Sequence, residues 1–588
     1  MKDYTTTPKF PVKGDTRMKQ TIAQKMVRIF SEAGAKHCYG VPGDTLNYFT
    51  DAIRTSSISF VHMRHEEAGA FAAGAEALLA DRLTLCAGSC GPGSLHFING
   101  LWETNRNRAP VVLIASQIAR DQLGFEFPQE VDFKKIYDAG TVFCEEIRTP
   151  AQAERMTVMA IQAAIARRGV AVLIVPSDIF SATIEGSAGF KPHIARPVSQ
   201  PHPEELQAVA ELLNSGTNIT IYGGSGCAEG HHEVIALAEK LKSPLARTSR
   251  AKDWLEHDNP FDVGMTGVLG TRGGLHAVSE CDTLLLLGCD FAWSQYYPHQ
   301  ANIIQIDIDP VHLGRRHPIE LGVAGDIKTT ISALLPLIKD RSDRTFLDKC
   351  LSVANEAEKK LNARAVDGKK GVIHPQYLTH LIGKYSASDA IFTADGGSPM
   401  VWMLRHIPST GANRTLTSLS HGTMANAMPQ ALGAQKAFPE RQVIALSGDG
   451  GLAMLLGDLL TTIQEKLPIK VVVFNNSSLN FVELEMKVEG LLDSYTNLVN
   501  PDFSKVAEAI GLWSHRVEKP EDLEAAVQTF LSIPGPALLD VVTNQYELVM
   551  PPDIHTSQVA HMALYTAKGL IDGRAKDITN LFDNIIRK

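Results

Sequence analysis

The stretch Val443-Ile444-Ala445-Leu446-Ser447-Gly448-Asp449-Gly450-Gly451, followed at Ile469 by Ile469-Lys470-Val471-Val472-Val473-Phe474-Asn475-Asn476, sets the reading of the whole chain. Its two apolar runs are continuous and too short for typical helices, which predicts strands buried on both faces of a parallel sheet. Between them Leu452, Leu455, Leu456, Leu459, Leu460 and Ile463 recur three and four residues apart, which predicts a helix. A right-handed strand–helix–strand crossover brings the glycine turn and the paired asparagines to one sheet edge. Asp449 and Asn476 then meet as two hard oxygen donors, suited to a Mg²⁺ ion that keeps further positions for water, a carbonyl and phosphate oxygens. Glycines at 448, 450 and 451 let the backbone approach a phosphate, and the helix start adds unpaired N–H groups.

Further out, short runs rich in Val, Ile and Leu recur at Val111–Ala115, Val170–Val175, Thr283–Leu287, Ile303–Ile308 and Ala537–Val542, separated by helix-length segments. Such alternation predicts α/β units. Pro192, Pro197, Pro201 and Pro203 mark residues 181–203 as a linker, and residues 340–371 are charged and polar, a helix followed by a Gly/Lys-rich loop. The expected fold class is α/β, with three doubly wound parallel-sheet domains at residues 18–180, 200–340 and 372–545. A tail, 546–588, ends in a C-terminal amphipathic helix, and residues 1–17 are expected to be a disordered extension.

The chain has 588 residues, enough for about three or four domains of roughly 150 residues each. Lys plus Arg number 56 and Asp plus Glu 65, so the net charge is −9, and no basic stripe suits a phosphate backbone; nucleic acid is a poor partner. No apolar run reaches the roughly 20 residues of a membrane-spanning helix. The polar start lacks a secretory h-region, and eight scattered cysteines fit reduced thiols in a cytoplasm. Cys86 and Cys90 do not form a CxxC pair and read as small residues of a packed strand and turn.

Gly-Asp-Gly alone is a common turn and Asn-Asn a common loop pair. With 24 residues between Gly450 and Asn475 (451 to 474), in a strand–turn–helix–strand setting, they resemble the signature of thiamine diphosphate (ThDP) enzymes. The three-domain order resembles the pyruvate oxidase and acetolactate synthase family. That resemblance implies a pyrimidine-binding first domain, a central domain and a diphosphate-binding third domain. It assigns Asp449, Asn476 and Ser478 to Mg²⁺, and Gly448, Asp449, Gly450, Gly451 and Asn476 to the cofactor. It also assigns Glu66, in Arg64-His65-Glu66-Glu67, to the aminopyrimidine ring; the bland alternative is a surface carboxylate favoured at a helix N-terminus. A carboxyl group there shares a proton with the ring nitrogen, favouring the imino tautomer that takes the proton from the thiazolium carbon. In His421–Pro429, Met424 matches the apolar wedge beneath the bent cofactor, with Ala425 and Asn426 beside it; a core methionine is the alternative. Pyrimidine and diphosphate sites come from different subunits in this family, which implies at least a dimer and usually a tetramer. The small-residue helix Ala68–Gly74 suits a close interface.

Gly223-Gly224-Ser225-Gly226 is a near miss to the dinucleotide fingerprint, Gly230 falling one position late. Together with Thr266-Gly267-Val268-Leu269-Gly270, Gly288-Cys289-Asp290-Phe291, Asp307, Asp309 and Asp326, it resembles the FAD-holding segments of the pyruvate oxidase group. The resemblance covers the chain from Met18 onward and lies nearest the quinone-dependent members. In those, pyruvate adds to the cofactor carbanion and loses CO₂, the enamine passes two electrons to FAD, acetate is released, and a membrane quinone reoxidises the flavin. Gln129 matches a substrate-side glutamine, and Phe481 and Glu485 match the substrate and flavin route. Pro128 stands where the family has Phe, which leaves substrate size open, with Phe127 a possible substitute. Ala251 stands where Gly is common and would be strained at positive φ.

At the chain's end Ile578, Leu581, Phe582, Ile585 and Ile586 recur at helical spacing opposite charged residues. Most such helices dock on their own protein; the resemblance favours a lipid-seeking segment instead. The expectation is therefore a cytoplasmic enzyme, peripherally attached to the inner face of the cell membrane. Its rivals are an acetolactate synthase-type carboligase with non-redox FAD, an oxygen- and phosphate-dependent pyruvate oxidase, and a noncatalytic nucleotide-binding scaffold.

Overall fold

The computed structural model describes residues 19–186, 189–363, 365, 371–547, 549, 556–572, 574 and 578–581. The chain forms two compact units, one ending at Ala195 and one beginning at Arg196.

The first unit opens with β1 (Gln20–Thr21). It continues with β2 (His37–Gly40), β3 (Ser59–His62), β4 (Thr84–Gly88), β5 (Val111–Gln117), β6 (Phe143–Glu146) and β7 (Val170–Pro176), and ends with β8 (Thr183–Ile184). β1 pairs antiparallel with β8, while the other six form one parallel sheet in the order β3-β2-β4-β5-β7-β6. Every residue of β5 and β7 is buried, as their uninterrupted apolar sequence requires. The small residues of helix Glu66–Leu79 serve this packing rather than leaving a bare face: a side chain at Gly74 would lie 2.5 Å from Thr104 Oγ1, and one at Gly100 2.6 Å from Ala70 Cβ.

The second unit holds two six-stranded parallel sheets. Its central sheet contains β9 (Ile219–Gly223), β10 (Leu245–Arg247), β11 (Asp262–Met265), β12 (Thr283–Leu287), β13 (Asn302–Asp307) and β14 (Leu321–Ala324), in the order β11-β10-β9-β12-β13-β14. The last sheet contains β15 (Ile391–Ala394), β16 (Arg414–Thr417), β17 (Val443–Gly448), β18 (Lys470–Asn475), β19 (Trp513–Val517) and β20 (Ala537–Val542), in the order β16-β15-β17-β18-β20-β19. Counted within each sheet, the first and third thread identically as 2-1-3-4-6-5, and the central one as 3-2-1-4-5-6. In such open sheets ligands bind beyond the carboxyl ends of the strands, where the order reverses. That point lies between β2 and β4, between β9 and β12, and between β15 and β17.

Three sequence expectations change. The helix expected over 452–463 is two short helices, Asp449–Met454 and Leu459–Gln464, joined by a turn at Leu456–Asp458, and Met454, Leu460 and Ile463 are exposed. Ala251 has φ −93°, so it carries no strain. The tail begins with a helix, Thr556–Ile571, and the described part of its last segment buries Ile578 and Leu581 in the third domain's core beside Tyr565. Phe582, Ile585, Ile586 and the extension 1–17 lie outside the described residues.

A buried charge cluster joins the second unit's two domains. Arg247 Nε lies 3.1 Å from Asp262 Oδ1, Lys252 pairs with Glu256 at 2.6 Å, and Glu256 Oε1 accepts from Ser409 N at 2.8 Å. Asp253 accepts from Thr415 N at 2.8 Å and Thr415 Oγ1 at 2.7 Å. Burial alone would raise the Glu256 carboxyl, but the Lys252 and Arg247 charges outweigh it and hold the group at about 2. A depressed folded-state value contributes stability above the ordinary carboxylate range that is lost as pH falls through the folded value. Glu256→Gln is therefore expected to cost about 3 kcal/mol at pH 7, since it takes from buried Lys252 its paired charge and leaves Arg247 with Asp262 alone. The difference should shrink from about pH 5 downward and be nearly gone near pH 2, which denaturant titrations across that range will measure.

Candidate cofactor-binding and active site

In the third domain the carboxyl-edge switch point is a cleft. The loop after β15 (Asp395-Gly396-Gly397-Ser398), Met424, the turn Gly448–Gly451, and Asn476, Ser478 and Phe481 all contribute to its lining. Asp449 is buried; its Oδ1 accepts from Gly450 N at 2.8 Å, and its Oδ2 from Ser477 N at 2.6 Å and Asn500 Nδ2 at 2.8 Å. Burial still pushes its carboxyl above the ordinary value despite these donors. Desolvation makes the carboxylate's charge costly, and a bound divalent cation would offset that cost.

The paired asparagines divide the work. Asn475 is committed to the interior, donating to Asp540 Oδ1 at 2.9 Å and accepting from Asn500 at 3.0 Å. Asn476 lines the cleft, its Oδ1 accepting from Ser478 N at 3.0 Å. The Ser478 hydroxyl donates to Glu483 Oε2 at 2.5 Å and is not turned to the metal position. Asp449, Asn476 and Ser478 thus line one cleft, and its hard oxygen donors would suit a Mg²⁺ ion.

Asp395 was not singled out in the sequence, yet it organises this cleft. It is buried, and it accepts from Ala427 N at 2.8 Å and Gly448 N at 3.0 Å, while burial lifts its carboxyl to about 7. A side chain at Gly451 would stand 2.2 Å from Asp395 Oδ2, so this close approach admits only glycine. Of the segment after β16, Met424 reaches the cleft and Ala425 adopts φ +65°, an unfavourable conformation for a residue with a side chain. Asn426 is fully buried and structural: it accepts from Gly396 N at 3.0 Å and donates to Ala394 O and Gln430 Oε1, both at 2.9 Å. Phe481 borders the cleft, whereas Glu485 is exposed and outside its lining.

In the first unit Glu66 begins helix Glu66–Leu79 and is buried, with Oε2 3.0 Å from His96 Nδ1. His96 in turn stacks on His65, ring centroids 4.9 Å apart. Gln129, at φ +69°, is exposed, and its Oε1 accepts the Cys90 thiol at 3.0 Å. The β4 turn touches both: side chains at Gly91 and Gly93 would meet Gln129 at 2.8 Å and Glu66 Oε1 at 3.5 Å. Cys90 is thus more than small filler. Phe125 and Phe127 stand exposed near Gln129.

In the central domain Gly224 and Gly226 meet the next loop: Gly224 N donates to Leu287 O at 2.8 Å and Gly226 N to Gly288 O at 3.1 Å. Asp290 is held by Arg315 and Arg316, whose charges outweigh burial and bring its carboxyl well below the ordinary range. Asp307 accepts from Asp309 N and pairs with His312, both at 3.0 Å; Asp309 accepts from Val311 N at 3.1 Å, and Asp326 caps a helix through Thr329 N at 3.0 Å. These four carboxylates have local partners, as turn-capping residues would. The hydroxyls of Thr248, Thr266 and Tyr222, at or near this carboxyl edge, are buried without a partner among the described residues, and Trp293, Ile308 and Val311 are exposed along it. Unpaired buried hydroxyls beside exposed apolar side chains fit a dinucleotide lying at the switch point. Gly267, Val268, Leu269 and Gly270 form the turn between β11 and the next helix, with Gly267 at φ +92° and close to Phe291.

Three family descriptions match the chain in order. They are "Thiamine pyrophosphate enzyme, N-terminal TPP binding domain" over residues 20–136, "central domain" over 206–334 and "C-terminal TPP binding domain" over 395–541. The chain belongs to the thiamine pyrophosphate enzyme family. Among its relatives, a "Putative thiamine pyrophosphate-containing protein YdaP" of Bacillus subtilis is 31% identical over 575 residues, 97% of this chain and 99% of that protein. A pyruvate oxidase of Lactiplantibacillus plantarum is 29% identical over 528 residues, covering 88% of this chain and 87% of that one. An acetolactate synthase isozyme 2 large subunit of Escherichia coli is 28% identical over 541 residues, 90% and 96%. As a thiamine pyrophosphate enzyme, the chain has in its third domain a cleft whose donors suit the cofactor's diphosphate.

Because Asp395 ties two buried N–H groups to one carboxylate, Asp395→Ala is expected to destabilise the second unit by about 3 kcal/mol. Calorimetry of the full chain should show that loss as a lowered unfolding midpoint.

Proposed function

We propose that this thiamine pyrophosphate enzyme oxidatively decarboxylates pyruvate: pyruvate, water and oxidised FAD give acetate, CO₂ and reduced FAD, which a membrane quinone reoxidises. The observation that carries the reading is the buried, raised Asp449 carboxylate beside Asn476, in a domain joined to one whose switch point fits a dinucleotide. When bound, thiamine diphosphate supplies a carbanion that adds to the 2-oxo acid and takes the electron pair released with CO₂, and FAD supplies two-electron acceptance.

In this reading Asp449, Asn476 and the Ser478 main chain would hold Mg²⁺, and Met424 would support the thiamine diphosphate. Glu66 holds the proton shared with the pyrimidine ring, oriented by its contact with His96. Gln129, fixed by Cys90, orients pyruvate, and Phe481 forms an apolar wall of the cleft on the substrate side. Glu485 stands at the outer end of the substrate route. Glu66 and the cleft act across subunits of a homo-oligomer, a tetramer by family likeness.

Among the described residues no helix is long and apolar enough to cross a membrane. Lipid contact on the cytoplasmic face of the membrane would fall to the tail, which must free Ile578 and Leu581 from the core to expose its apolar face. The pyruvate oxidase relative favours oxidation of pyruvate, and the acetolactate synthase relative favours carboligation to acetolactate.

Anaerobic mixing of the protein, loaded with ThDP, Mg²⁺ and FAD, with pyruvate separates the two. Flavin bleaching with stoichiometric acetate supports the oxidase; an oxidised flavin with acetolactate replaces it by the carboligase. Glu66→Gln is expected to slow turnover about 10²–10⁴-fold with Mg²⁺-dependent ThDP binding retained. Truncation after Gly573 should abolish vesicle binding, and retained binding refutes the lipid assignment.

A further inference from the structure

Helix Ser398–His406 starts in the diphosphate cleft, where Ser398, Pro399 and Trp402 line it, and runs about 13 Å to the central domain. On its last turn Arg405 donates from Nε to Leu269 O at 3.1 Å and from Nη2 to Gly270 O at 3.0 Å. Burial pulls this guanidinium down to about 10. His406 beside it is buried with neither ring nitrogen partnered among the described residues, and burial together with the Arg405 charge keeps its imidazole neutral, at about 3.

The turn that Arg405 grips is bonded to its own domain by Thr266 N to Arg247 O at 3.4 Å, and it is anchored in the third domain too. Met265 belongs to that domain's buried core and Leu269 packs against it. Other segments of the dinucleotide edge are held from within their own domain: Gly224 and Gly226 by the β12 loop, Asp290 by Arg315 and Arg316, Asp307 by His312. The Thr266–Gly270 turn carries an unpartnered buried hydroxyl, that of Thr266, and its shape rests on Gly267 at φ +92° with Gly270 N bonded to Gly267 O at 2.9 Å. A shift of helix Ser398–His406 therefore moves this turn relative to the rest of the edge.

We propose that Arg405 is a positioning residue for the flavin, fixing the Thr266–Gly270 turn, and that helix Ser398–His406 makes flavin affinity depend on the occupant of the diphosphate cleft. The proposal rests on the FAD reading of the central domain. Its coupling is reciprocal, each cofactor tightening the other by the same factor.

The test titrates FAD into the full-length chain freed of both cofactors, following flavin fluorescence with and without ThDP and Mg²⁺. In the unaltered chain ThDP with Mg²⁺ should tighten FAD at least fivefold. Arg405→Met should weaken FAD at least tenfold and erase the ThDP effect, with ThDP binding, read by protein fluorescence without FAD, within twofold of the unaltered chain. Arg405→Lys, which keeps the charge but not the fork that spans two carbonyls, should fall between them. FAD binding by Arg405→Met within twofold of the unaltered chain, or an unchanged ThDP effect in it, overturns the proposal. Should Arg405→Met also lose ThDP, the Lys variant decides: FAD affinity and ThDP effect equal to the unaltered chain refute the assignment, and a reduced effect with ThDP binding intact sustains it. An unaltered chain that binds no FAD refutes the central-domain reading itself, and the Arg405 proposal falls with it.

Discussion

A single buried carboxylate ties together the cleft on which the chemistry depends. Asp395 sits beyond β15 and accepts main-chain hydrogen from Ala427, at the start of a helix, and from Gly448, at the end of β17. Three separate stretches of chain are fixed to one point, and Gly451 passes so near that a methyl group would collide with the carboxylate. Buried N–H groups that lose their acceptor are costly, so the loops cannot drift apart without losing stability. Asp449, one residue beyond Gly448, is thereby held in place in the cleft that Asn476 also lines.

The fold uses one plan twice and another once. The first and third sheets have the same threading, and each has candidate site residues after its second and third strands: Glu66 and the Gly91–Gly93 turn in one, Met424 and the Gly448–Gly451 turn in the other. Topology places these loops at the carboxyl edge, and loop sequence then decides whether the edge presents an acid or a diphosphate cleft. The central sheet reverses between β9 and β12 instead, and the backbone of Gly224 and Gly226 closes against the Gly288 loop there.

Legibility in the sequence followed burial. Strands covered on both faces, such as β5, β7, β17 and β18, carry apolar runs of at least four residues and stand out, as do the Gly-Asp-Gly turn and the asparagine pair between which the crossover lies. Shorter strands with polar interruptions do not. Ile391-Phe392-Thr393-Ala394 is one, and with it went Asp395, although the strand–Asp–Gly–Gly pattern repeats the signature around Asp449. Asn500 was invisible because its bond to Asp449 joins residues 51 positions apart. The split of helix 452–463 was also hidden, since leucine spacing persists across the Gly457-Asp458 break. Side-chain commitment escapes sequence altogether: Asn426 spends its amide inside the fold, and Asp290, Asp307 and Asp326 have partners of their own.

Asp253 reaches from the central domain to the main-chain N–H of Thr415, and Thr415 lies on β16, the outermost strand of the last sheet. An outermost strand with unpaired amides is a template onto which another polypeptide can add. The carboxylate occupies one of those amides with a group that cannot itself continue a ladder. The last domain, cut free of its neighbour, would lose that stopper, and its solubility as an isolated fragment would suffer for reasons unrelated to any cofactor. The boundary between the two domains is therefore a poor place to divide this chain, however well each sheet closes its own core.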